Sequence, residues 1–520
     1  MPELRFVESP TYRLLSGHPA SPHQAAIFDA LAAPETGGKM VVARAGTGKT
    51  TAIKNGLRYV PVGESVQCFA FNTDAGAQLK AGLAEIIEAD GAERYAGMRA
   101  GTFHSVCYQA IARHLGMRDL KPDKRKMRKL LKARLREEDY PLYHGFVGRL
   151  VGLAKGEGIG CLLPDVEEEW WRIVDHHGLY LDSEEASPER GVEIARKALA
   201  YSGRLAREQK IIDFDDLLYL TVLWKLRLWR NDLVIVDEVQ DTNPIRRAIA
   251  RLALRPGGRF YGVGDDRQSI FGFTGATPDA MNLLRREFAT TDLPLTVSYR
   301  CARAIIKQAQ RWVPSIEAAL DAPEGEVRHD VPEDEALRVL TQNDAVLCRQ
   351  TAPLIGLAYR LIASGRGCQV LGRDIGEGMV ALVRAQRAKG VDRLVAKLEE
   401  FRDHEMARFT ARGDEAAAEG VCDRVACVLA CIETLPATQR TVPALERHII
   451  RLFEGEEGTL TLATAHRVKG LEWDTVAVLR PDLMPSRVAR QNWQAAQEDN
   501  LCYVTATRAK RRLLYMEVPA

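Results

Sequence analysis

The segments ARAGTGKTT at Ala43–Thr51 and VDEVQDTN at Val236–Asn243 lie far apart in the chain, yet each supplies half of one kind of site. Apolar Met40–Ala43 reads as a short buried strand and the residues from Thr50 onward as a helix, so Gly46, Thr47 and Gly48 fall in the turn between them. Glycines let a backbone bend tightly and aim amide hydrogens at an anion, and a helix N-terminus adds a favourable dipole. A cradle formed by Ala45, Gly46, Thr47, Gly48, Lys49, Thr50 and Thr51 is therefore expected to hold nucleotide phosphates. Lys49 would reach the β- and γ-phosphates, and the Thr50 hydroxyl would ligate Mg2+. The general phosphate-loop pattern opens on Gly where this chain has Ala43, and glycine-rich turns also serve purely structural ends.

The second segment answers that ambiguity. Leu233–Val236 is a continuous apolar run, as a central parallel strand requires, and Asp237 and Glu238 follow at its carboxyl end, where open α/β sheets place their ligands. Asp237 is expected to bind the metal, and Glu238 to orient or deprotonate an attacking water. An isolated Asp-Glu pair after a strand is often only a solvated turn, a reading that the upstream cradle disfavours. Together the two halves predict ATP hydrolysis with Mg2+.

Further apolar runs at Gln67–Phe71 and Phe260–Val263 join Met40–Ala43 and Leu233–Val236, alternating with helical patterns, so a first α/β domain is assembled from two blocks of sequence. A second set of runs, Leu293–Val297, Ala345–Cys348, Thr475–Leu479 and Leu513–Met516, implies a second α/β unit. Between the halves of each unit the sequence is mainly helical in composition.

Additional motifs follow in fixed order: GTFHS at Gly101–Ser105, IDFDDLL at Ile212–Leu218, VGDDRQSIFGFTGA at Val263–Ala276, LTVSYR at Leu295–Arg300, TLATAHRVKGLEWDTVAVL at Thr461–Leu479 and EDNLCYVTATRAKRRLL at Glu498–Leu514. With the two nucleotide segments they resemble the UvrD/Rep family of superfamily 1 DNA helicases. The resemblance reaches both ends of the chain and is weak over roughly residues 106–205 and 373–456.

It implies an α/β fold of two RecA-like parallel-sheet motor domains, each interrupted by a mainly helical insertion. Residues 1–105 and 206–290 would form the first, ATP-binding motor domain, with its insertion at 106–205. Residues 291–372 and 457–520 would form the second, with a reduced insertion at 373–456. The resemblance also implies residue roles: Gln24 reads adenine, Tyr299 stacks on the base, Glu472 contacts the ribose, and Arg300 and Arg508 act as arginine fingers. Gln268 and Gln240 would link the γ-phosphate to DNA-contacting loops. Phe71, Thr102, His104, Phe271 and Phe273 would contact a single strand, with His466 approaching from the second domain; the family has Trp where this chain has Phe273.

Chemistry supports such roles. Charge on a transferring phosphoryl group must be met by preorganised cations, and an arginine supplied from another domain is worth on the order of 10³ to 10⁵ in rate. If both arginines come from a second domain, domain closure becomes part of the cycle. Aromatic faces stack on bases irrespective of sequence, which suits a motor, although a lone aromatic is as readily explained by core packing.

Composition sets bounds on these expectations. A chain of 520 residues exceeds one core, and 46% apolar with 27% charged residues is ordinary for a globular protein. Net charge is only +2, so nucleic-acid binding calls for a locally basic channel. In Lys121–Glu138, Met127, Leu130, Leu131 and Leu135 recur at helical spacing beneath many Lys and Arg, a face either solvated or touching phosphates. The N-terminus MPELRFVESP lacks a signal-like apolar segment and no run approaches a membrane span, so no membrane partner and a cytoplasmic location are expected. Ten scattered cysteines suit a reducing environment; Cys422, Cys427 and Cys431 are either cluster ligands or small apolar residues of a buried helix.

The leading expectation is an ATP-dependent 3′-to-5′ DNA helicase acting on single strands and single-strand/duplex junctions in repair, recombination or replication. The alternative is a single-stranded-DNA translocase that serves as the motor subunit of a repair or anti-phage defence complex and unwinds little alone; in either case a protein partner for loading or activation is a possible further requirement. RNA-directed unwinding is a third, less favoured reading.

Overall fold

The computed structural model describes residues 12–179, 181, 186–270, 279–411, 415–454, 459–487 and 492–518. The chain divides into two compact units: residues up to Arg44 with Gly48–Thr296, and Ala45–Thr47 with the residues from Val297 on.

In the first unit, β1 (Lys39–Ala43), β2 (Val66–Ala70), β3 (Met98–Thr102), β4 (Asn231–Asp237), β5 (Leu254–Gly264) and β6 (Thr291–Leu295) form one sheet in the order β3-β2-β4-β5-β1-β6. Every pairing is parallel. All seven residues of β4 are buried, as a strand covered on both faces must be. Its side chains divide by the two-residue strand period: Val234 and Val236 enter a core shared with the helices inserted after β3, whereas Leu233 and Ile235 enter the core beneath Phe28, Leu31 and Ile53.

The inserted helices are Phe103–Leu115, Lys126–Arg134, Asp139–Glu157, Glu167–His177, Pro188–Gln209 and Phe214–Leu223. Their ends carry recognisable caps. Thr102, Ser187 and Asp213 accept N-terminal amide hydrogens, and Gly116, Gly158 and Gly178 close C-termini in the left-handed region. The helical segment continues without a break across the boundaries expected at 105/106 and 205/206.

One strand differs from expectation. The run Leu293–Val297, read as the opening strand of the second unit, contributes Leu293–Leu295 to β6, which pairs with β1 at the edge of the first sheet, Val41 opposite Leu293. Pro294 explains the edge position, since a proline has no amide to offer a second neighbour. Val297 itself belongs to the second unit, in β7.

In the second unit β7 (Val297–Ser298) and β8 (Glu317–Ala318) make a small separate pair. The main sheet contains β9 (Glu326–Val331), β10 (Ala345–Cys348), β11 (Cys368–Val370), β12 (Leu460–Thr464), β13 (Trp473–Val478) and β14 (Ala509–Met516) in the order β11-β12-β10-β13-β14-β9, again wholly parallel. Helices Arg373–Ala385, Val391–Ala411, Glu415–Glu433 and Val442–Glu454 lie between β11 and β12. Cys427 and Cys431 are buried within this group, burial pushes the Cys431 thiol up to about 12, and no set of metal-ligating side chains occurs among the described residues. Here cysteine serves as a small apolar residue. No described helix is long and apolar enough to cross a membrane.

Candidate nucleotide site and nucleic-acid groove

The order β4-β5-β1 sets three carboxyl ends side by side, and the residues following them carry the polar chemistry of the first unit. After β1, Gly48 (φ 78°) is the left-handed N-cap of helix Lys49–Gly56, a conformation in which glycine avoids the Cβ penalty. This places Lys49 and Thr50 in the first helical turn. Thr47 is buried, Thr50 half-buried and Thr51 exposed. Ala45 is buried in the core of the second unit, to which Ala45–Thr47 belong.

At the end of β4, Asp237 is buried and Glu238 takes a left-handed conformation (φ 50°), uncommon for a residue with a side chain. Lys49 Nζ donates to Glu238 Oε1 at 2.6 Å. Burial lowers the lysine pKa, but the carboxylates of Glu238 and Asp237 outweigh it and leave Lys49 above its ordinary value. Gln240 Nε2 donates to the other Glu238 oxygen, and Gln240 Oε1 accepts the Asp265 amide at 3.1 Å. Gly264 permits that approach: a Cβ there would stand 2.3 Å from Gln240 Oε1. Gln268 Nε2 in turn donates to Asp265 Oδ2 at 2.8 Å. A continuous polar chain thus runs from Lys49 through Glu238, Gln240 and Asp265 to Gln268.

Gln24 is buried, and its Oε1 accepts the Ser21 amide in a capping box that starts helix Pro22–Ala32. Its amide nitrogen is left facing Gly48, about 4.0 Å from where a Cβ would stand.

The second unit carries the remaining nucleotide candidates. Tyr299 is 56% exposed, a large aromatic face left open to solvent. Arg300 and Lys510 both ion-pair with Glu472. Arg508 is 1% exposed and rests on carbonyls, its Nε donating to Val504 O at 2.9 Å and its Nη1 to Leu471 O at 3.2 Å. Burial, and then Arg300, lower its pKa to about 10. His466 is half-buried and its pKa is depressed, by burial and then Arg349 against the opposing Glu498.

A cavity of about 530 Å³ in the first unit gathers Phe71, His104, Arg149, Lys155, Asp215 and Arg246. Phe71 and His104 were expected in a strand-binding surface; the sequence did not single out Arg246, whose guanidinium carbon lies 4.4 Å from the Phe71 ring centre. Burial, with Arg246 adding, drops the His104 pKa to about 4. Thr102 caps the helix that carries His104, its hydroxyl accepting the Ser105 amide. Beneath the cavity Lys155 pairs with Asp213 and Asp216, and Lys126 donates to Asp216 at 2.5 Å. Lys126 therefore leaves the basic face of Lys121–Glu138, while Lys124, Arg125, Arg128, Lys129 and Lys132 stay exposed. Phe271 and Phe273 lie outside the described residues.

Two parallel sheets, a phosphate loop entering a helix, and paired carboxylates at a neighbouring strand end define the class of phosphate-loop proteins with tandem RecA-like domains. Residues 24–289 match the UvrD/REP helicase N-terminal domain and residues 384–518 the UvrD-like helicase C-terminal domain. The chain belongs to the UvrD/Rep helicase family. It is 26% identical over 299 residues to the ATP-dependent DNA helicase Rep of Escherichia coli (strain K12), covering 53% of this chain and 41% of Rep. It is 25% identical over 314 residues to DNA helicase II of the same organism, covering 55% and 39%. A third similarity, 25% over 295 residues, is to the ATP-dependent DNA helicase srs2 of Schizosaccharomyces pombe, covering 52% and 32%. The chain thus spans well under two thirds of the length of these relatives.

Proposed function

We propose that the protein is an ATP-dependent DNA motor that moves 3′-to-5′ along a single strand and separates duplexes at junctions. The polar chain from Lys49 to Gln268 is the observation that carries this reading, because it joins the phosphate loop to a candidate water-activating carboxylate and to a side chain able to sense the γ-phosphate. Thr50 and Asp237 are the residues that would hold Mg2+; an oxygen set of this kind, hydroxyl with carboxylate, suits that hard cation. The metal supplies neutralisation of phosphate charge, while Glu238 orients water and Lys49 orients the nucleotide. Gln24 reads adenine, Tyr299 stacks on it and Glu472 meets the ribose. Arg300 and Arg508, offered by the second unit, meet the charge that develops on the γ-phosphate.

The single strand runs past Phe71, Thr102 and His104, with Phe271, Phe273 and His466 completing its path. We assign residues 1–105 with 206–290 to the first motor domain, to which the β6 segment adds 291–296, residues 297–372 with 457–520 to the second, and 106–205 and 373–456 to their insertions. Repair, recombination or replication in the cytoplasm are the settings that fit such a motor.

The deciding measurement offers 3′-tailed and 5′-tailed DNA duplexes and a tailed RNA duplex while recording ATP turnover. Displacement of the 3′-tailed DNA strand alone is the expected result. DNA-stimulated turnover without displacement would identify a translocase working within a larger complex, and preference for RNA would overturn the DNA assignment.

A further inference from the structure

Arg44, the second residue of the phosphate-loop segment, is not part of the cradle. Its amide donates to Leu295 O at 2.9 Å, which fixes its backbone against β6. Its guanidinium turns to the end of β5, 2.8 Å from Asp265 Oδ1 and 2.6 Å from Asp266 Oδ1. The two carboxylates differ: the Asp265 side chain is wholly buried and that of Asp266 half exposed.

Asp265 is a junction. Besides holding Gln268 Nε2, its side chain accepts the Arg267 amide at 3.2 Å and heads the single turn Asp266–Gln268. Its own amide meets Gln240. A carboxylate taken out of water is costly unless a cation and hydrogen bonds compensate it. Burial raises the Asp265 pKa, and Arg44, ahead of Lys49, is the largest influence opposing that rise.

We propose that Arg44 is a positioning residue for nucleotide hydrolysis: by neutralising buried Asp265 it holds the carboxylate from which the Gln268 side chain is hung. Arg44 is held by Asp265 and Asp266 and acts through Gln268, so the proposal rests on the nucleotide reading above. Because a guanidinium spans two carboxylates where an ammonium is a point charge, lysine is an incomplete substitute.

The test compares Arg44→Ala, Arg44→Lys, Gln268→Ala and the double variant Arg44→Ala/Gln268→Ala, with Lys49→Ala as control. DNA-stimulated kcat, KM for ATP and thermal melting are measured for each. Arg44→Ala is expected to lower kcat on the order of 10²-fold, the scale of a misplaced reacting geometry, with KM unchanged. Arg44→Lys should recover part of that loss, and the double variant should be no slower than Gln268→Ala alone. Full kcat in Arg44→Ala, or a double variant slowed by the product of the two single effects, overturns the proposal. If Arg44→Ala does not fold, Arg44→Lys carries the same comparison through its pairing with Gln268→Ala. Turnover surviving in Lys49→Ala sinks the nucleotide reading itself, a result distinct from failure at Arg44 alone.

Discussion

Lys49 in the first unit lies 2.6 Å from Glu238, whereas Arg508 in the second is buried on backbone carbonyls with no carboxylate at ion-pair distance among the described residues. Each unit thus keeps a cation out of bulk water by a different route. The lysine is neutralised in advance, and on the function proposed above it exchanges a carboxylate for phosphate when nucleotide arrives. The arginine has no such competitor. Its charge, further opposed by Arg300, favours any anion that comes within reach. A pre-paired cation sets the resting geometry; an unpaired one reserves its attraction for charge that develops later.

The largest effect that sharpens this contrast is expected from Lys49→Ala. DNA-stimulated ATP turnover should fall to background, since among the described residues of the first unit no other Lys or Arg occupies the first turn of the helix following Gly48. Substantial remaining hydrolysis would remove the lysine from the site. Next comes Arg508→Ala, expected to slow hydrolysis on the order of 10³-fold while nucleotide binding stays measurable by equilibrium titration. Its effect on stability should separate the two cations as well. Exchanging a buried charge that lacks a carboxylate for an apolar side chain is often neutral or stabilising, so Arg508→Met should melt no lower than the parent protein. A large drop in melting temperature would mean that the guanidinium is structural.

The same contrast marks what local sequence conveys. Leu233–Val236 and Ala345–Cys348 fall inside or coincide with β4 and β10, because a strand covered on both faces is written as an uninterrupted apolar run. Two edge strands carry a weaker signature: Glu326–Val331 is largely exposed and has no apolar run, and Thr291–Leu295, with its proline, is legible only in part, within a run that sequence alone gives to the second unit. Lys49, Asp237 and Glu238 stood out because their chemistry is local to one turn. Lys126 did not, since in KPDKRKMRK it looks like its exposed neighbours and only a carboxylate ninety residues on makes it a buried ion. Arg44 and Arg246 were missed for the same reason: each is defined by a partner from another strand or helix, Asp265 and Phe71.

A smaller effect is expected in the groove. If Phe71 stacks on a base beneath Arg246, Phe71→Ala should weaken single-strand affinity by roughly 1 to 3 kcal/mol regardless of base composition. Loss confined to one sequence would indicate a reading pocket in place of a stacking face. The measurement is fluorescence anisotropy with homopolymeric and mixed strands.

The smallest effect tests whether the histidines of the two units share one electrostatic setting. His104 faces Arg246 and His466 faces Arg349, and burial depresses both; for His104 the value is about 4 against an ordinary 6.5. Between those two values the unfolded chain binds the proton more readily than the folded one, so folding stability rises with pH across that window. The contribution is complete above about 6.5 and is lost progressively as pH falls toward about 4. His104→Gln should therefore flatten the acid side of a melting-temperature profile between pH 6.5 and 4 and leave it unchanged above neutrality. In the second unit burial and Arg349 outweigh Glu498 and bring His466 to about 4 as well, so His466→Gln should flatten the profile over the same window. Flattening by one substitution and not the other would show that the two settings differ, and a steeper profile in His104→Gln would mean that the imidazole is charged in the folded protein after all.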